Sequence, residues 1–399
     1  MSSPVSRSPS ELLAEFLLAD RSRALDAARE TEERGLWDNA VALAVSWRVL
    51  PALAGRLGEL RPDEELVSRM QPDLRRAAIQ STLTCRRAAE ATEALETAGV
   101  GAVAFKGVAA IGRLHGRPDR RMLQDADLLI AEADLESAVS VLESLGFELE
   151  LPVDLETWLR LLDDRVYRDH EYVELRDGVG VAVDLHWDLP FGGESGLAVD
   201  ELLRRREAVR LAGSRVPLPS PDDALLLTVH HAVRERLVPR VAIKDLLDVA
   251  GWLELGELDV EALSRRSSLA GLLVPLTAMA EILSGFDAAS SAARWLDGAP
   301  GEARLRAERL VGFFHLQLRE GEVGKGLLGL SAMSWPMLRR LVVSRWRALR
   351  SPEYRAVFHH HDFAPSRGRS TGIVRDLLRL GPSRLRVVRA MARETRKLA

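Results

Sequence analysis

Apolar residues recur at helical spacing through the first part of the chain, from about Glu11 to Ala98. Ser8 and Glu11 stand at capping-box spacing with Pro9 between them, a combination that is typical of a helix start. The helical pattern is interrupted near Gly35, Pro51 and Pro62. The pattern therefore predicts an all-helical region over residues 1–98.

The pattern changes at residue 99, where short β-type segments begin to alternate with helical ones. GVGAVAFKG predicts a buried strand, because it is apolar, partly β-branched and bounded by glycine. A short helix is predicted from Val108 to about His115, and DADLLIA predicts a second strand. Further predicted elements are a helix in EADLESAVSVLESLG, a strand in FELELPV, a helix over Asp154–Asp163 and a β-hairpin turning at Asp177 and Gly178.

Helical periodicity returns at Ser220, with Pro221 in the first helical position, and continues to about residue 320. The last stretch is less regular and is rich in arginine from Ser366 onward. The expected fold class is α+β, with a small mixed β-sheet core flanked by extensive helical regions. The expected division is 1–98 (helical), 99–190 (α/β core), 191–320 (helical) and 321–399 (helical or irregular, basic).

The composition adds few constraints on function. Of 399 residues, 47% are hydrophobic and 29% are charged, and the net charge of −4 indicates no particular partner. The single cysteine, Cys85, excludes an intramolecular disulfide and fits a reducing compartment. With no signal-peptide pattern and no apolar run long enough for a membrane span, we expect a cytoplasmic protein. Lysine is rare: 4 lysines accompany 51 arginines, and Lys106 is one of them.

Asp125 and Asp127 lie two residues apart on a predicted strand, so their side chains share one face. Two carboxylates held together repel each other, and a divalent cation between them relieves the repulsion; oxygen ligands suit Mg²⁺. An Asp-x-Asp triplet alone is a weak signal. Asp184, on the strongly β-patterned run VAVDLHW, is the best candidate for a third carboxylate.

The step Lys106-Gly107 follows the first predicted strand and opens a helix. A glycine at such a turn lets the backbone approach a phosphate closely, and lysine adds a compact positive charge. Phosphate at the glycine and magnesium at the carboxylates together indicate a nucleoside triphosphate site.

In combination, these motifs resemble those of the bacterial nucleotidyltransferase-like proteins of the DNA polymerase β superfamily. More narrowly, the chain resembles the uncharacterised nucleotidyltransferase family over about residues 80–260. The residues that carry the resemblance are Lys106-Gly107, Arg121, Asp125, Asp127, Asp184, His186, Trp187, His231 and Leu246 to Asp248.

The resemblance implies a nucleotidyltransferase fold with one or two Mg²⁺ ions at the sheet edge. Asp125, Asp127 and Asp184 would be the metal-binding and catalytic carboxylates, and Asp184 could also take the acceptor's proton. The nucleotide-binding residues would be Lys106, Gly107, Arg121 and His186. The wider superfamily has glycine or serine after the turn glycine, where this chain has Val108, so one phosphate or metal contact would be missing.

Several other residues have a structural interpretation beside the functional one. His186 could contact phosphate, orient a carboxylate or be purely structural, whereas Trp187 is expected in the core. A packing role is favoured for His230 and His231, and Asp248 is expected to anchor helices through an arginine. The run His359–His361 and the basic C-terminal tail are interpreted as solvated surface.

The sequence therefore predicts a Mg²⁺-dependent nucleotidyltransferase that moves a nucleoside monophosphate from an NTP to an acceptor hydroxyl or phosphate. A small-molecule acceptor is favoured over a macromolecule, and no hallmark of nucleic-acid binding is visible. Two alternatives stay open: a catalytically inactive nucleotide- or partner-binding protein on the same fold, and a toxin-type enzyme that modifies a protein or tRNA.

Overall fold

The computed structural model describes residues 7–60, 63–151, 155–156, 172–191, 195–235, 237–255, 259–287 and 290–320. These residues belong almost entirely to one compact unit formed by residues 1–151 and 168–321. The helix predicted over Asp154–Asp163 lies almost wholly outside the described residues. The histidine run at 359–361 and the basic C-terminal tail also lie outside them.

Five helices precede the sheet, as the periodicity predicts: α1 (Pro9–Leu18), α2 (Arg21–Glu33), α3 (Trp37–Ser46), α4 (Leu50–Leu60) and α5 (Glu64–Thr97). The capping box at the first helix is confirmed, since the Ser8 side chain accepts from the Glu11 backbone and the Glu11 side chain accepts from the Ser8 backbone. Along these helices the buried side chains are mainly leucine and alanine. This region therefore owes its stability to burial of a helical apolar face.

The central sheet has five strands in the order β1-β2-β5-β4-β3. They are β1 (Ala102–Ala104), β2 (Asp125–Ile130), β3 (Phe147–Leu149), β4 (Tyr172–Asp177) and β5 (Ala182–His186). The pair β2–β5 is parallel, whereas β1–β2, β4–β5 and β3–β4 are antiparallel. The predicted α+β class with a small mixed sheet is thus confirmed, and so is the hairpin through Asp177 and Gly178.

One face of the sheet is apolar, and the other carries the acidic residues. Ala126, Leu128 and Ile130 alternate along β2 and are fully buried, as are Val183 and Leu185 on β5. Helices α5 and α7 (Leu135–Ser144) contact the sheet. Three short elements connect β1 to β2: α6 (Gly107–Ala110), a π-helical turn (Ile111–His115) and a 3₁₀ turn (Pro118–Arg120).

The remaining described chain is largely helical. It comprises β6 (Pro190–Phe191), β7 (Ser195–Gly196), α8 (Val199–Arg204), β8 (Glu207–Leu211), β9 (Ser214–Leu218), α9 (Pro221–Arg234), α10 (Pro239–Glu254), α11 (Val260–Leu269), α12 (Leu273–Gly285), α13 (Ser290–Gly298) and α14 (Gly301–Glu320). Helix α9 begins as predicted, with Ser220 as its cap and Pro221 in the first turn. Among the described residues, no helix is both long and apolar enough to cross a membrane. The four-part division at residues 98, 190 and 320 stays a prediction.

A buried aspartate joins α9 to two neighbouring segments. Asp223 is fully buried and accepts two hydrogen bonds at 2.9 Å from Arg205, which follows α8. It also contacts Arg266 of α11 and accepts from the Ser220 hydroxyl. Both arginines are partly exposed, so their desolvation cost is modest while the buried carboxylate is fully satisfied.

Asp223→Asn should lower the free energy of unfolding by roughly 2–3 kcal/mol, because it leaves two arginines facing a neutral group. Asp222→Asn is the matched control: it is the adjacent residue, is partly exposed, and makes only a 3.3 Å contact to Arg266. It should change the stability by less than about 0.5 kcal/mol. Urea denaturation of both variants checks this, and equal losses would contradict the assigned role of Asp223.

Candidate active site

The parallel strands β2 and β5 bring the predicted acidic residues to one face of the sheet. Their register pairs Asp127 with Asp184, and Leu129 with His186. Since alternate residues of a strand share a face, Asp125, Asp127, Asp184 and His186 lie on the same face. The structure thus places Asp184 on the strand beside the Asp125–Asp127 pair.

Asp127, Asp184 and His186 form a compact group of side chains with metal-ligand chemistry. One oxygen of each carboxylate and one ring nitrogen of His186 all lie within 4.8 Å of one another. Asp127 and His186 are buried, whereas Asp184 is partly exposed. Asp125 is also partly exposed and lies one strand step away, outside this group. The geometry therefore gives two carboxylates and one imidazole, with Asp125 beside them.

Lys106 supplies a positive charge in direct contact with Asp127. Its Nζ lies 2.5 Å from Asp127 Oδ1 and 5.2 Å from the centroid of the Phe105 ring. The residue directly follows β1 and has a φ of 48°. For a residue with a Cβ such a backbone costs about 1–3 kcal/mol. The ion pair with Asp127 offsets the energy of this backbone conformation and keeps the ammonium group of Lys106 among the acidic side chains.

His186 is held between Asp127 and an aromatic ring. Its Nε2 lies 3.1 Å from Asp127 Oδ1, and its ring meets Phe105 edge-on, with centroids 5.1 Å apart. Burial, followed by the charge of Lys106, lowers the pKa of His186 to about 3. The imidazole is therefore neutral at physiological pH. Of the roles considered for His186, orientation of a carboxylate is the one that this contact supports.

The two paired aspartates differ in their protonation equilibria. Burial raises the pKa of Asp127, but Lys106 and the hydrogen bond with His186 outweigh it and hold that pKa well below its usual range. Burial and then the charges of Asp127 and Asp125 raise the pKa of Asp184 well above its usual range. One lysine therefore balances one carboxylate, and Asp184 remains the carboxylate for which negative charge is unfavourable.

Gly107 opens α6 immediately after Lys106. A Cβ at this position would collide with Leu123 and would lie 3.9 Å from Arg121 Nη1. The glycine is therefore explained by the close approach of the loop that precedes β2, independently of any phosphate. Val108, which stands where the wider superfamily has a small residue, is buried.

Arg121 lies beside this turn but is engaged with α10. Its Nη2 lies 2.5 Å from Asp248 Oδ2, and its Nε lies 3.1 Å from both oxygens of that carboxylate. Ser81 of α5 holds the same loop, since its hydroxyl donates to the Arg121 carbonyl and accepts from the Leu123 amide. As expected, Asp248 pairs with an arginine, but Arg121 lies in the loop before β2, so the pair joins α10 to that loop and not to another α-helix.

The helical pair α9–α10 carries a second cluster of charged side chains. His231 Nδ1 lies 2.8 Å from Asp245 Oδ2, and Lys244 Nζ lies 3.6 Å from Asp245 Oδ1. Burial raises the pKa of Asp245, but His231 and Lys244 outweigh it, so this pKa is lowered. The packing role predicted for His231 fits this contact, and the core position predicted for Trp187 is confirmed.

Arg48 was missed by sequence reasoning. It lies between α3 and α4, is partly buried, and has a φ of 60°. Asp125 is the charge that most strongly favours its protonated form, followed by Asp127. The sequence around it, SWRVLP, contains no recognisable signal, because the link to the acidic face arises only from tertiary packing.

A comparison with protein families identifies the group to which these features belong. The profile of a family described as "Uncharacterised nucleotidyltransferase" matches residues 33–285, which is more than half of the chain. The chain belongs to this family. The resemblance inferred from the motifs is thereby confirmed, and the family match includes the entire acidic face as well as helices on both sides of it.

Among solved structures, the chain is similar to the crystal structure of an antigenic nucleotidyltransferase-like protein from Paracoccidioides brasiliensis. The identity is 17%, the alignment covers 53% of this chain and 93% of that chain, and the TM-score is 0.29. The comparison with curated proteins gives no match.

Asp184→Asn should stabilise the metal-free protein at pH 7, because it removes a partly buried charge that repels Asp127 and Asp125. A carboxyl whose folded-state pKa is raised destabilises the fold at high pH and has no such effect once it is protonated. The melting temperature in EDTA should therefore rise by roughly 2 °C or more at pH 7, and the gain should shrink as the pH falls toward 4.

Asp38→Asn, at a largely exposed aspartate of α3, is the control and should show no such pH-dependent gain. An unchanged or lower melting temperature for Asp184→Asn at pH 7 would show that Asp184 is not electrostatically strained.

Lys106→Met should destabilise the protein by about 3 kcal/mol in EDTA, because Asp127 then remains buried without a counter-charge. The double variant Lys106→Met/Asp127→Asn should recover most of this loss, since both charges are gone. Added Mg²⁺ should stabilise Lys106→Met more than the parent, because the ion replaces the missing positive charge. Denaturant titrations with and without Mg²⁺ measure both effects.

Proposed function

We propose that this protein is a divalent-metal-dependent nucleotidyltransferase. It would transfer a nucleoside monophosphate from an NTP to a hydroxyl or phosphate of an acceptor and release pyrophosphate. The observation that carries the proposal is the convergence of Asp127, Asp184 and His186 within 4.8 Å, in a chain that belongs to a nucleotidyltransferase family. The raised pKa of Asp184 supports it, because a cation bound there would relieve the repulsion among the carboxylates.

The donor set fits a divalent ion. Asp127 and Asp184 would hold it through carboxylate oxygens, and Asp125 would complete the set from the adjacent position on the same face. A predominance of oxygen donors suits Mg²⁺, which also prefers to retain water and to bind substrate phosphates. When bound, one or two Mg²⁺ ions would neutralise charge on the triphosphate and on the leaving pyrophosphate.

The residues of the chain would have separate roles in the transfer. Neutral His186 orients Asp127 through the 3.1 Å contact, which fixes the carboxylate that faces Asp184. Asp184, which lies beside Asp127 on this face, would accept the proton of the attacking hydroxyl on a carboxylate oxygen. A bond then forms between the acceptor oxygen and the α-phosphorus, and the bond from that phosphorus to the pyrophosphate oxygen breaks.

The turn that precedes α6 would receive the triphosphate. Lys106, which pairs with Asp127 in this structure, would donate to a phosphate oxygen of the nucleotide. Gly107 begins α6 at this turn, and Arg121 lies beside it while being held by Asp248. We infer that Arg121 acts on the nucleotide through its charge and through the shape of this loop.

The acceptor is proposed to be a small molecule that binds on the side of the helical region 191–320. Helix α10 of that region reaches the site through the contact between Asp248 and Arg121. A cytoplasmic location is proposed as well, and it is supported by the single cysteine, Cys85, which is buried and forms no disulfide.

The proposal is tested with each α-labelled NTP and Mg²⁺, in the presence of a cell lysate as a source of acceptors. The parent should transfer label to a small molecule and release pyrophosphate. Asp127→Asn should lower the rate of transfer by more than about 100-fold. Loss of a residue that only hydrogen-bonds to a metal ligand typically costs about 10- to 100-fold, and loss of the ligand itself should cost more. Asp38→Asn, at an exposed carboxylate, should transfer at the parental rate.

The outcomes separate the alternatives. Label in protein or tRNA would favour the toxin-type enzyme. NTP binding without pyrophosphate release, in every lysate tested, would favour the inactive binding protein. Equal rates of label transfer for the parent and Asp127→Asn would reject the assignment of the site, provided that circular dichroism shows both proteins to be folded.

A further inference from the structure

A histidine and a lysine lie on the two oxygens of one buried carboxylate, where α9 packs against α10. Asp245 of α10 is only 3% exposed. Its Oδ2 lies 2.8 Å from His231 Nδ1, and its Oδ1 lies 3.6 Å from Lys244 Nζ. The side chains of His231 and Lys244 are 19% and 13% exposed, so both reach the surface from a buried anchor.

Asp245 determines which nitrogen of His231 is available to a ligand. Burial raises the pKa of Asp245, but His231 and Lys244 outweigh it, so the carboxyl is ionised at neutral pH. An ionised carboxylate only accepts hydrogen bonds, and His231 Nδ1 therefore carries the proton that is donated to Asp245. In the neutral imidazole, Nε2 is then an acceptor. This nitrogen has no hydrogen-bond partner among the described residues and is accessible to solvent.

Lys244 has donors that the chain does not use. Its distance of 3.6 Å from Asp245 is longer than a hydrogen bond, and within the described part of the chain its ammonium group has no other ion pair or hydrogen bond. Burial lowers the pKa of Lys244, which agrees with an ammonium group that is incompletely compensated. A partly buried group with three N–H donors is stabilised by a ligand that supplies an acceptor.

The same side of α10 contacts the loop that precedes β2. Lys244, Asp248 and Gly251 are spaced by four and three residues and therefore share one face of the helix. Asp248 holds Arg121 of the loop at 2.5 Å, and a Cβ at Gly251 would lie 3.0 Å from Leu114. The cluster is thus about one helical turn, roughly 6 Å, along α10 from the residue that holds the loop beside the nucleotide turn.

The pattern of donors and acceptors selects the chemistry of the ligand. An ionised phosphate or carboxylate only accepts hydrogen bonds and would leave His231 Nε2 without a donor, whereas an ammonium group would repel Lys244. A hydroxyl group both donates and accepts, so it satisfies both side chains. A metal ion is a poorer match, because within the described residues His231 belongs to no group of three ligand side chains that could share an ion.

We propose that His231 and Lys244 form a subsite for a hydroxyl group of a substrate, in which His231 Nε2 accepts from the hydroxyl and Lys244 donates to its oxygen. Asp245 is a positioning residue, since it sets the tautomer of His231. The inference rests on the proposed function, which supplies two sources of such a hydroxyl: the ribose of the NTP, and a hydroxyl of the acceptor other than the attacking one.

Two substitutions of His231 separate ligand binding from packing. His231→Asn keeps an N–H near the position of Nδ1, and so keeps the contact with Asp245, but it has no atom at the position of Nε2. His231→Gln places its amide near Nε2 and gives up the contact with Asp245. A residue that only packs predicts that His231→Gln is the more impaired variant. The proposal predicts that substrate binding is weaker in His231→Asn. His315→Gln, at an exposed histidine of α14, is the control.

The first arm of the test measures binding of ATP, 2′-deoxy-ATP and 2′,3′-dideoxy-ATP in the presence of Mg²⁺. If the ribose occupies the subsite, the parent should bind ATP roughly 3- to 10-fold more tightly than the analogue without the hydroxyl, as expected for one hydrogen bond. His231→Asn and Lys244→Met should remove this preference and should bind 2′,3′-dideoxy-ATP as the parent does. His315→Gln should keep the preference.

The second arm measures label transfer over a dilution series of the lysate that supplies the acceptor. If the acceptor occupies the subsite, His231→Asn should bind the three nucleotides as the parent does. It should need roughly 3- to 10-fold more lysate for half-maximal transfer, with little change in the maximal rate. His231→Gln should need less lysate than His231→Asn, since its amide can still contact the hydroxyl.

The inference is overturned if His231→Asn equals the parent in both arms, or if His231→Gln is the more impaired variant. A parent that transfers no label would reject the proposed function, and the nucleotide arm would then decide alone. A preference for the ribose hydroxyl that depends on His231 would support the subsite, and equal binding of the three nucleotides by that parent would overturn it.

Discussion

Parallel hydrogen bonding between β2 and β5 forces Asp127 and Asp184 to lie side by side, and two carboxylates so placed repel each other. Lys106 balances Asp127 by direct contact, and Asp184 retains the excess negative charge. The protein thus keeps unbalanced negative charge on one face of the sheet, an arrangement that a bound cation would stabilise.

Much of the fold was predictable because local signals and tertiary structure agree. The capping box at Ser8, the alternation along DADLLI and the start of α9 at Ser220 each specify a local element, and the structure has those elements. The neighbouring position of Asp184 was predicted from its strand pattern and from family resemblance. The structure adds the parallel register of β2 and β5, in which Asp184 lies directly opposite Asp127.

What was not predictable depends on contacts between distant segments. No local pattern indicates that Asp125 and Asp127 influence the pKa of Arg48, since this depends on how α3 and α4 pack against the rest of the chain. The family resemblance implied a nucleotide-binding role for Arg121, but only the structure shows the bidentate contact with Asp248. For His186, the sequence left three roles open, and the distance to Asp127 supports one of them.

The loop before β2 is held from both sides by helices that lie outside the sheet. Ser81 of α5 forms hydrogen bonds with the backbone of the loop, and Asp248 of α10 forms an ion pair with the side chain of Arg121. The strands alone therefore do not hold the loop before β2 in place. Any shortened version of this protein that keeps the loop in place must begin before Ser81 and continue past Asp248. The shortest segment that keeps this loop in place is thus defined by the contacts of Ser81 and Asp248. It is considerably longer than the segment that contains the strands with the aspartates.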